Sequence, residues 1–186
     1  GVFMNGQLYS GNNGFAGELS HFPMVENGEL CICGKRGCLE TIASSNTIMK
    51  MVRQGFANNE ISSLINQFKE HPEKVTPEDV IHSARQGDEF CISILNEIGK
   101  AMGKGLSYII QLLNPEVIVL SGPLSSAKQY VLSPIQQSLN RLCLEKISGN
   151  TKIIVSDIGD QSALLGTSEM IFQKVFTEMD FEGLAL

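Results

Sequence analysis

No run of apolar residues in this chain approaches the roughly 20 that a membrane-spanning helix needs. The runs are as short as Val117-Ile118-Val119-Leu120, so no helical span is expected. An excess of positive charge is missing as well. Fourteen Lys and Arg against 20 Asp and Glu leave a net charge of -6. The nearest approach to a basic patch is the pair Lys35-Arg36. Nucleic-acid binders carry a basic face or stripe, so this chain by itself is not expected to grip DNA. At 18% charged and 42% hydrophobic, the composition does not suit a disordered chain and can fill a core. Also absent are a secretory signal, an internal repeat, a linker composition and a low-complexity run. The cysteines do not form an even, dispersed disulfide set. There are five, and three of them crowd together at positions 31, 33 and 38. An odd, clustered set without a leader favours a reducing, cytoplasmic location and a metal site. The 186 residues suit one domain or a large half of a bigger one. Gly1-Val2-Phe3 reads straight into a strand, as a fragment of a longer protein would.

The chain alternates strand and helix signals. Residues 2–4 and 7–9 flank Asn5-Gly6, the dipeptide favoured in two-residue hairpins because both positions take positive φ. Residues 11–17 are Gly- and Asn-rich loop, and 16–37 show little periodicity. Leu39, Ile42, Met49 and Val52 predict a helix over 39–53, and a shorter one is expected over 61–68. Thr76-Pro77-Glu78-Asp79 is a helix start, with an N-cap, a first-turn proline and acids at the positive end of the dipole. That helix is expected to reach about residue 86. Asp88 caps a long helix over Glu89–Leu113, which Asn114-Pro115 stops. Its Gly99, Gly103 and Gly105 imply close packing within the domain. Residues 117–120 and 153–155 read as buried strands, and 126–144 and 161–176 as helices. Ser121-Gly122-Pro123 is a turn, and nothing after Glu178 carries a clear signal. The alternation predicts an α/β domain. Met49, Met51 and Met102 read as core filler, Cys91 and Cys143 as small buried hydrophobes, and His71 and His82 as solvated.

The stretch from Glu18 to Glu40 carries the chemistry. It reads Glu-Leu-Ser-His, nine further residues, then Cys-Ile-Cys-Gly-Lys-Arg-Gly-Cys-Leu-Glu. Zinc takes four soft or borderline ligands in a tetrahedron. Cys31 and Cys33 lie two apart, and Gly34 and Gly37 let the backbone turn back to bring in Cys38. His21 supplies a fourth ligand from upstream. A Cys3His site with every position filled is structural rather than catalytic. The competing reading, three small buried side chains, leaves a long irregular stretch without a clamp.

Gly17-Glu18-Leu19-Ser20-His21, followed by Cys31-Ile32-Cys33-Gly34-Lys35-Arg36-Gly37-Cys38-Leu39-Glu40, resembles the signature of the ROK family. The name stands for repressors, open reading frames and kinases. The similarity runs across most of the chain, including Asn114-Pro115-Glu116-Val117 to Leu124. It implies an actin-like, ribonuclease-H-like sugar-kinase fold in two lobes. Residues 1–186 would be a single C-terminal lobe with an inserted zinc loop at about 18–40. The N-terminal lobe and any DNA-binding domain would lie outside. It also implies that Glu18, His21 and Glu40 contact sugar hydroxyls, while His21, Cys31, Cys33 and Cys38 hold zinc. Carboxylates are strong acceptors for hydroxyls, and a histidine bound to zinc through one nitrogen keeps the other as an N–H donor. Without the resemblance, Glu18 and Glu40 read equally well as plain surface acids.

Two functions stay open on this basis. ROK kinases use an aspartate base and Gly-rich phosphate loops that would precede Gly1, so this chain by itself is not expected to transfer phosphate. They also tend to carry paired glycines after the strand matching Val117–Leu120, with the nucleotide nearby. Here Ser121 and Gly122 mark that loop, and Pro123 has no N–H to offer a ligand. This variant resembles the repressors of the family more than its kinases. The first expectation is therefore the effector-binding and oligomerisation part of a sugar-responsive transcriptional repressor. It would bind a monosaccharide or sugar phosphate, form a dimer or tetramer, and meet DNA through a helix-turn-helix outside the chain. The alternative is the C-terminal half of an ATP- and Mg-dependent hexose or N-acetylhexosamine kinase. A member that keeps only sugar binding is a third, weaker reading.

Overall fold

The computed structural model describes residues 1–178, so the tail beyond Glu178 lies outside it. A hairpin opens the chain, with β1 (Phe3–Met4) antiparallel to β2 (Gln7–Leu8). Its turn residues Asn5 and Gly6 have φ of 52° and 77°, the left-handed pair that a tight hairpin requires. An irregular stretch then holds short 3-10 turns at Leu19–His21 and Leu39–Thr41. Next come α1 (Ser45–Asn58), α2 (Ser63–Gln67), α3 (Pro77–Arg85) and α4 (Glu89–Leu113). The last part is β3 (Val117–Leu120), α5 (Gln129–Leu142), α6 (Glu145–Ser148), β4 (Lys152–Val155) and α7 (Ser162–Glu178). β3 and β4 pair in parallel, Ile118 opposite Ile153, across the α5–α6 crossover. This is the α/β arrangement that the alternation of signals implies.

The long α4 is the spine. Its buried stripe of Ile94, Leu95, Ile98 and Ile110 meets Ile48 and Val52 of α1, Val80 and Ile81 of α3, and Ile135 and Leu139 of α5. α4 and α5 approach backbone to side chain because α4 carries glycines at the seam. A Cβ at Gly99 would sit 2.5 Å from Pro134 Cγ, and one at Gly103 would sit 2.6 Å from Ser138 Cβ. At Gly105 it would sit 2.6 Å from Leu39 Cδ2, so the third glycine is a notch for the turn that carries Glu40. The methionines 49, 51 and 102 pack against this core. Cys91 is fully buried, Cys143 half-buried. His71 pairs with Glu73 and His82 with Gln86 at the surface.

Several boundaries differ from the periodicity. The helix expected over 39–53 begins at Ser45, because Ser44 turns its hydroxyl onto the Thr47 N–H as an N-cap. Leu39 and Ile42 belong to the separate turn before it, and α1 runs on to Asn58. The helix expected over 126–144 starts at Gln129, after a 3-10 segment Pro123–Ala127 and a Lys128 with φ of 44°. α2 is shorter than 61–68, and α7 extends two residues past 176. The strands expected to be buried are covered on one face only. Val117, Val119 and Ile154 are 40–57% exposed, while their neighbours Ile118, Leu120 and Ile153 reach the core. A two-stranded parallel pair with helices on one side leaves its other face open.

Asp88 ties α2 to α4. One carboxylate oxygen accepts from the Ser62 and Ser63 hydroxyls and the Ser63 backbone N–H, the other from the Cys91 N–H. Burial alone would raise its pKa, but these donors outweigh it and hold the group well below the usual carboxylate range. Asp88→Ala is therefore expected to cost about 3 kcal/mol at neutral pH, since buried donors lose an ionised acceptor. A group with a depressed folded pKa contributes stability above its unfolded value, about 3.9, and loses it as pH falls through the folded value. Urea denaturation of both proteins should show the gap in full at pH 7 and shrinking below about pH 4. A gap independent of pH would mean the charge is not its source.

Candidate functional site

The irregular stretch between β2 and α1 folds onto itself around three cysteines and a histidine. The Cys31 N–H donates to the Lys35 carbonyl at 2.7 Å, and the Gly34 N–H to the Cys31 carbonyl at 2.9 Å, closing a tight turn. Gly34 and Gly37 have φ of 83° and 74°, a region that costs other residues strain. Gly37 is also a close approach, since a Cβ there would stand 1.8 Å from the Val25 carbonyl oxygen. Its own carbonyl accepts from the N–H groups of Met24 and Val25. The Leu39 N–H donates to the Phe22 carbonyl, which aligns the segment after His21 with the segment after Cys38.

These turns bring the expected ligands together. His21 Nδ1 lies 3.5 Å from Cys31 Sγ, Cys33 Sγ lies 3.6 Å from Cys38 Sγ, and all four ligand atoms fall within 4.8 Å of one another. With Zn–S near 2.3 Å and Zn–N near 2.0–2.1 Å, a tetrahedron has S···S edges of about 3.8 Å and S···N edges of about 3.6 Å. The observed pairs match those edges, so the donor set fits a zinc ion. Among the described residues it is the one group of this kind. Cys31 and Cys38 are buried, while Cys33 is exposed. Burial first, and the neighbouring thiols after it, push the Cys38 thiol up to about 12. The Lys35 backbone N–H lowers Cys33, against a smaller effect of burial. A divalent cation reverses the cost at Cys38, because a coordinated thiol is deprotonated outright.

The two acids flank the same histidine. Glu18 Oε2 lies 3.9 Å from Nε2, and Glu40 Oε2 lies 3.9 Å from Nδ1. At that distance each is an electrostatic neighbour rather than a hydrogen-bond partner, so its lone pairs remain available to hydroxyls. His21 and Glu40 are about one-third exposed and Glu18 just over half. The Leu19–His21 turn and the Leu39–Thr41 turn pack against each other and carry these groups. Glu40 also borders a cleft of about 250 Å³ shared with Ser44, Thr47, Lys50 and Arg53 of the α1 region.

Three contacts from outside the cluster support the site. Lys104 of α4 donates to the Met24 carbonyl at 2.8 Å across 80 residues. Lys50 of α1 pairs with Glu29 of the loop. The Gly105 notch seats Leu39 beside Glu40. Of the three, only Gly105 stands out in the sequence, as one of the glycines that imply close packing within the domain. The loop residues Ser121 and Gly122 sit elsewhere. Ser121 lines a separate cavity of about 280 Å³ with Leu120, Ser125, Lys128, Val131 and Val155. Gly122, at φ 82° and ψ -170°, occupies a region essentially restricted to glycine. None of the cysteine-cluster residues lines that cavity.

Residues 1–174 match the ROK family model. A glucokinase of Thermotoga maritima is 29% identical over 175 residues, covering 94% of this chain and 55% of the relative. An N-acetylglucosamine repressor of Escherichia coli O157:H7 is 29% identical over 168 residues, covering 88% of this chain and 39% of the relative. Among solved structures, a ROK family glucokinase from Streptomyces griseus, in complex with glucose and AMPPNP, superposes with a TM-score of 0.78 at 26% identity. That match covers 89% of this chain and 54% of the other. A ROK family transcriptional regulator, a homologue of the E. coli MLC protein, gives 0.76 at 30% identity over 83% of this chain and 38% of the other. The chain thus spans about half the length of the kinases it matches and about two-fifths of the repressors.

Proposed function

The chain belongs to the ROK family, and from that premise we propose that it is the sugar-sensing C-terminal part of a transcriptional regulator stabilised by a structural zinc. His21, Cys31, Cys33 and Cys38 hold the ion. Glu18, His21 and Glu40 hold a monosaccharide or its phosphate. The observation that carries this reading is the shared histidine: one ring nitrogen faces Cys31 at 3.5 Å while carboxylates stand 3.9 Å from both sides of the ring. With Nδ1 facing Cys31, His21 bound to zinc there would keep Nε2 as an N–H donor toward the Glu18 side. A hydroxyl bound there donates to a carboxylate and accepts from the imidazole. His21 would thereby be oriented toward the sugar by its place in the metal site.

The apolar surface left open supports a second lobe outside this chain. Phe3 is 69% exposed, and Leu164 of α7 is 71% exposed. The regulator reading over the kinase reading rests on the loop after β3, where Pro123 follows Gly122 and offers no N–H toward the neighbouring cavity. In that reading the whole protein is a homo-oligomer that meets DNA through another domain, and sugar shifts its equilibrium between DNA-bound and free states. The similarity to glucokinases favours the second reading, half of an ATP- and Mg-dependent sugar kinase. The test is the full-length protein given ATP, Mg²⁺ and a panel of sugars, alongside its own promoter DNA. Sugar-dependent release from DNA without ADP formation supports the regulator; sugar-dependent ADP formation sinks it.

Glu40→Gln tests the sugar site. The amide keeps shape but loses a charged acceptor, so sugar affinity should fall about tenfold or more while bound zinc stays the same. Calorimetry and metal analysis read the two separately. Loss of both together would make Glu40 a structural residue.

A further inference from the structure

We propose that the cysteine cluster is also an oxidant-modification site, in which Cys33 and Cys38 close into a disulfide and the zinc ion leaves. The inference rests on the zinc reading above. Its basis is an asymmetry of exposure and freedom within the cluster. Cys33 is exposed while Cys31 and Cys38 are buried, so a peroxide in solution meets Cys33 first. Cys38 Sγ waits 3.6 Å away, and a disulfide needs about 2.05 Å. The remaining shift of about 1.5 Å falls on a backbone able to supply it. Gly34, next to Cys33, has nothing within 4 Å of its Cβ direction, whereas Gly37, next to Cys38, is wedged against the Val25 carbonyl. Cys33 therefore moves and Cys38 stays. Cys31 Sγ also lies within 4.8 Å of both sulfurs, but it is buried and stands 3.5 Å from His21 Nδ1. Cys91, fully buried, and Cys143, half-buried, lie outside the cluster.

The chemistry balances with hydrogen peroxide as the oxidant. The Cys33 thiolate attacks one peroxide oxygen, the O–O bond breaks, and hydroxide leaves a sulfenic acid on Cys33. The Cys38 thiolate then attacks the Cys33 sulfur and displaces a second hydroxide, forming the S–S bond. The two sulfurs give up two electrons, and the peroxide takes them. With two protons from solvent the by-products are two waters. Zinc keeps its oxidation state but loses two of four ligands, and His21 with Cys31 alone does not hold it. A dithiol reductant reverses the S–S bond. Because His21 sits in both sites, sugar sensing would become oxidant-sensitive.

The experiment takes full-length protein purified under reducing conditions and measures bound zinc first. It then adds hydrogen peroxide and follows zinc with a colorimetric chelator, free thiols after denaturation, and disulfide-bonded peptides by mass spectrometry. The expected result is release of the bound zinc, a loss of two free thiols per polypeptide, and a Cys33–Cys38 peptide. All three should reverse with a dithiol and added zinc. Cys143→Ser should respond identically. Zinc retained through the treatment overturns the inference, as does zinc lost with Cys31 in the bridge or with Cys33 as sulfinic acid. Protein that binds no zinc before peroxide overturns the zinc reading itself, and this inference with it.

Discussion

Replacing Cys38 with serine should empty the metal site and lower stability by about 3 kcal/mol or more, because loss of a metal is among the mechanisms behind the largest single-substitution effects. Cys38 is the ligand with no exposed surface, and its Sγ stands 3.6 Å from Cys33 Sγ. Serine offers a poor zinc ligand in place of a thiolate. Without zinc the stretch from Glu18 to Glu40 keeps short turns and two isolated bridges, Pro23 with Cys38 and Leu30 with Arg36, but little core of its own. Such a loop does not repay its ordering entropy through apolar burial. On the proposed reading a structural ion would close that deficit, because binding free energy at a site absent from the unfolded chain is folding free energy. Atomic-emission analysis of the purified variant and its urea denaturation midpoint check both halves. Zinc held at the wild-type ratio with an unchanged midpoint would remove the ion from the account of this fold.

The cluster was legible in the sequence because its members lie close together along the chain. Cys31, Cys33 and Cys38, with two glycines that turn the chain between them, leave few other geometries. α4 was legible too: Asp88 and Asn114 mark its ends, and the structure puts them there as N-cap and left-handed C-cap. The misplaced boundaries lie where a side chain competes with the helix for backbone groups, as Ser44 does, or where one residue takes a positive φ, as Lys128 does. Apolar spacing carries no information about either. The strands misled for another reason. Four apolar residues in a row suggest two buried faces, yet Val119 is 57% exposed because the described sheet has two strands and one covered face. The two lysine supports of the site were invisible because their partners are distant in sequence. Nothing near Lys104 announces that its ammonium will hold the carbonyl of Met24.

Gly103→Val should cost about 3 kcal/mol, although position 103 lies inside a helix where replacing glycine normally helps. Propensity alone favours alanine over glycine by about 1 kcal/mol. The seam decides the sign here. A Cβ at 103 would meet Ser138 Cβ at 2.6 Å, the Ile135 carbonyl oxygen at 2.8 Å and Ile135 Cα at 3.0 Å. Two of those three atoms are α5 backbone, which cannot rotate aside, so α4 and α5 must separate. Gly166 of α7 is the control. Nothing stands within 4 Å of its Cβ position, so Gly166→Ala should gain up to about 1 kcal/mol. Urea denaturation of the two variants should therefore move in opposite directions. The seam also bears on the site, because α4 carries both Lys104 and the Gly105 notch that seat the zinc loop. Gly103→Val should thus weaken zinc retention against a chelator, measured in the absence of denaturant. A variant destabilised by the expected amount that keeps its zinc as firmly as wild type would mean the loop is held by its ion alone and not by α4.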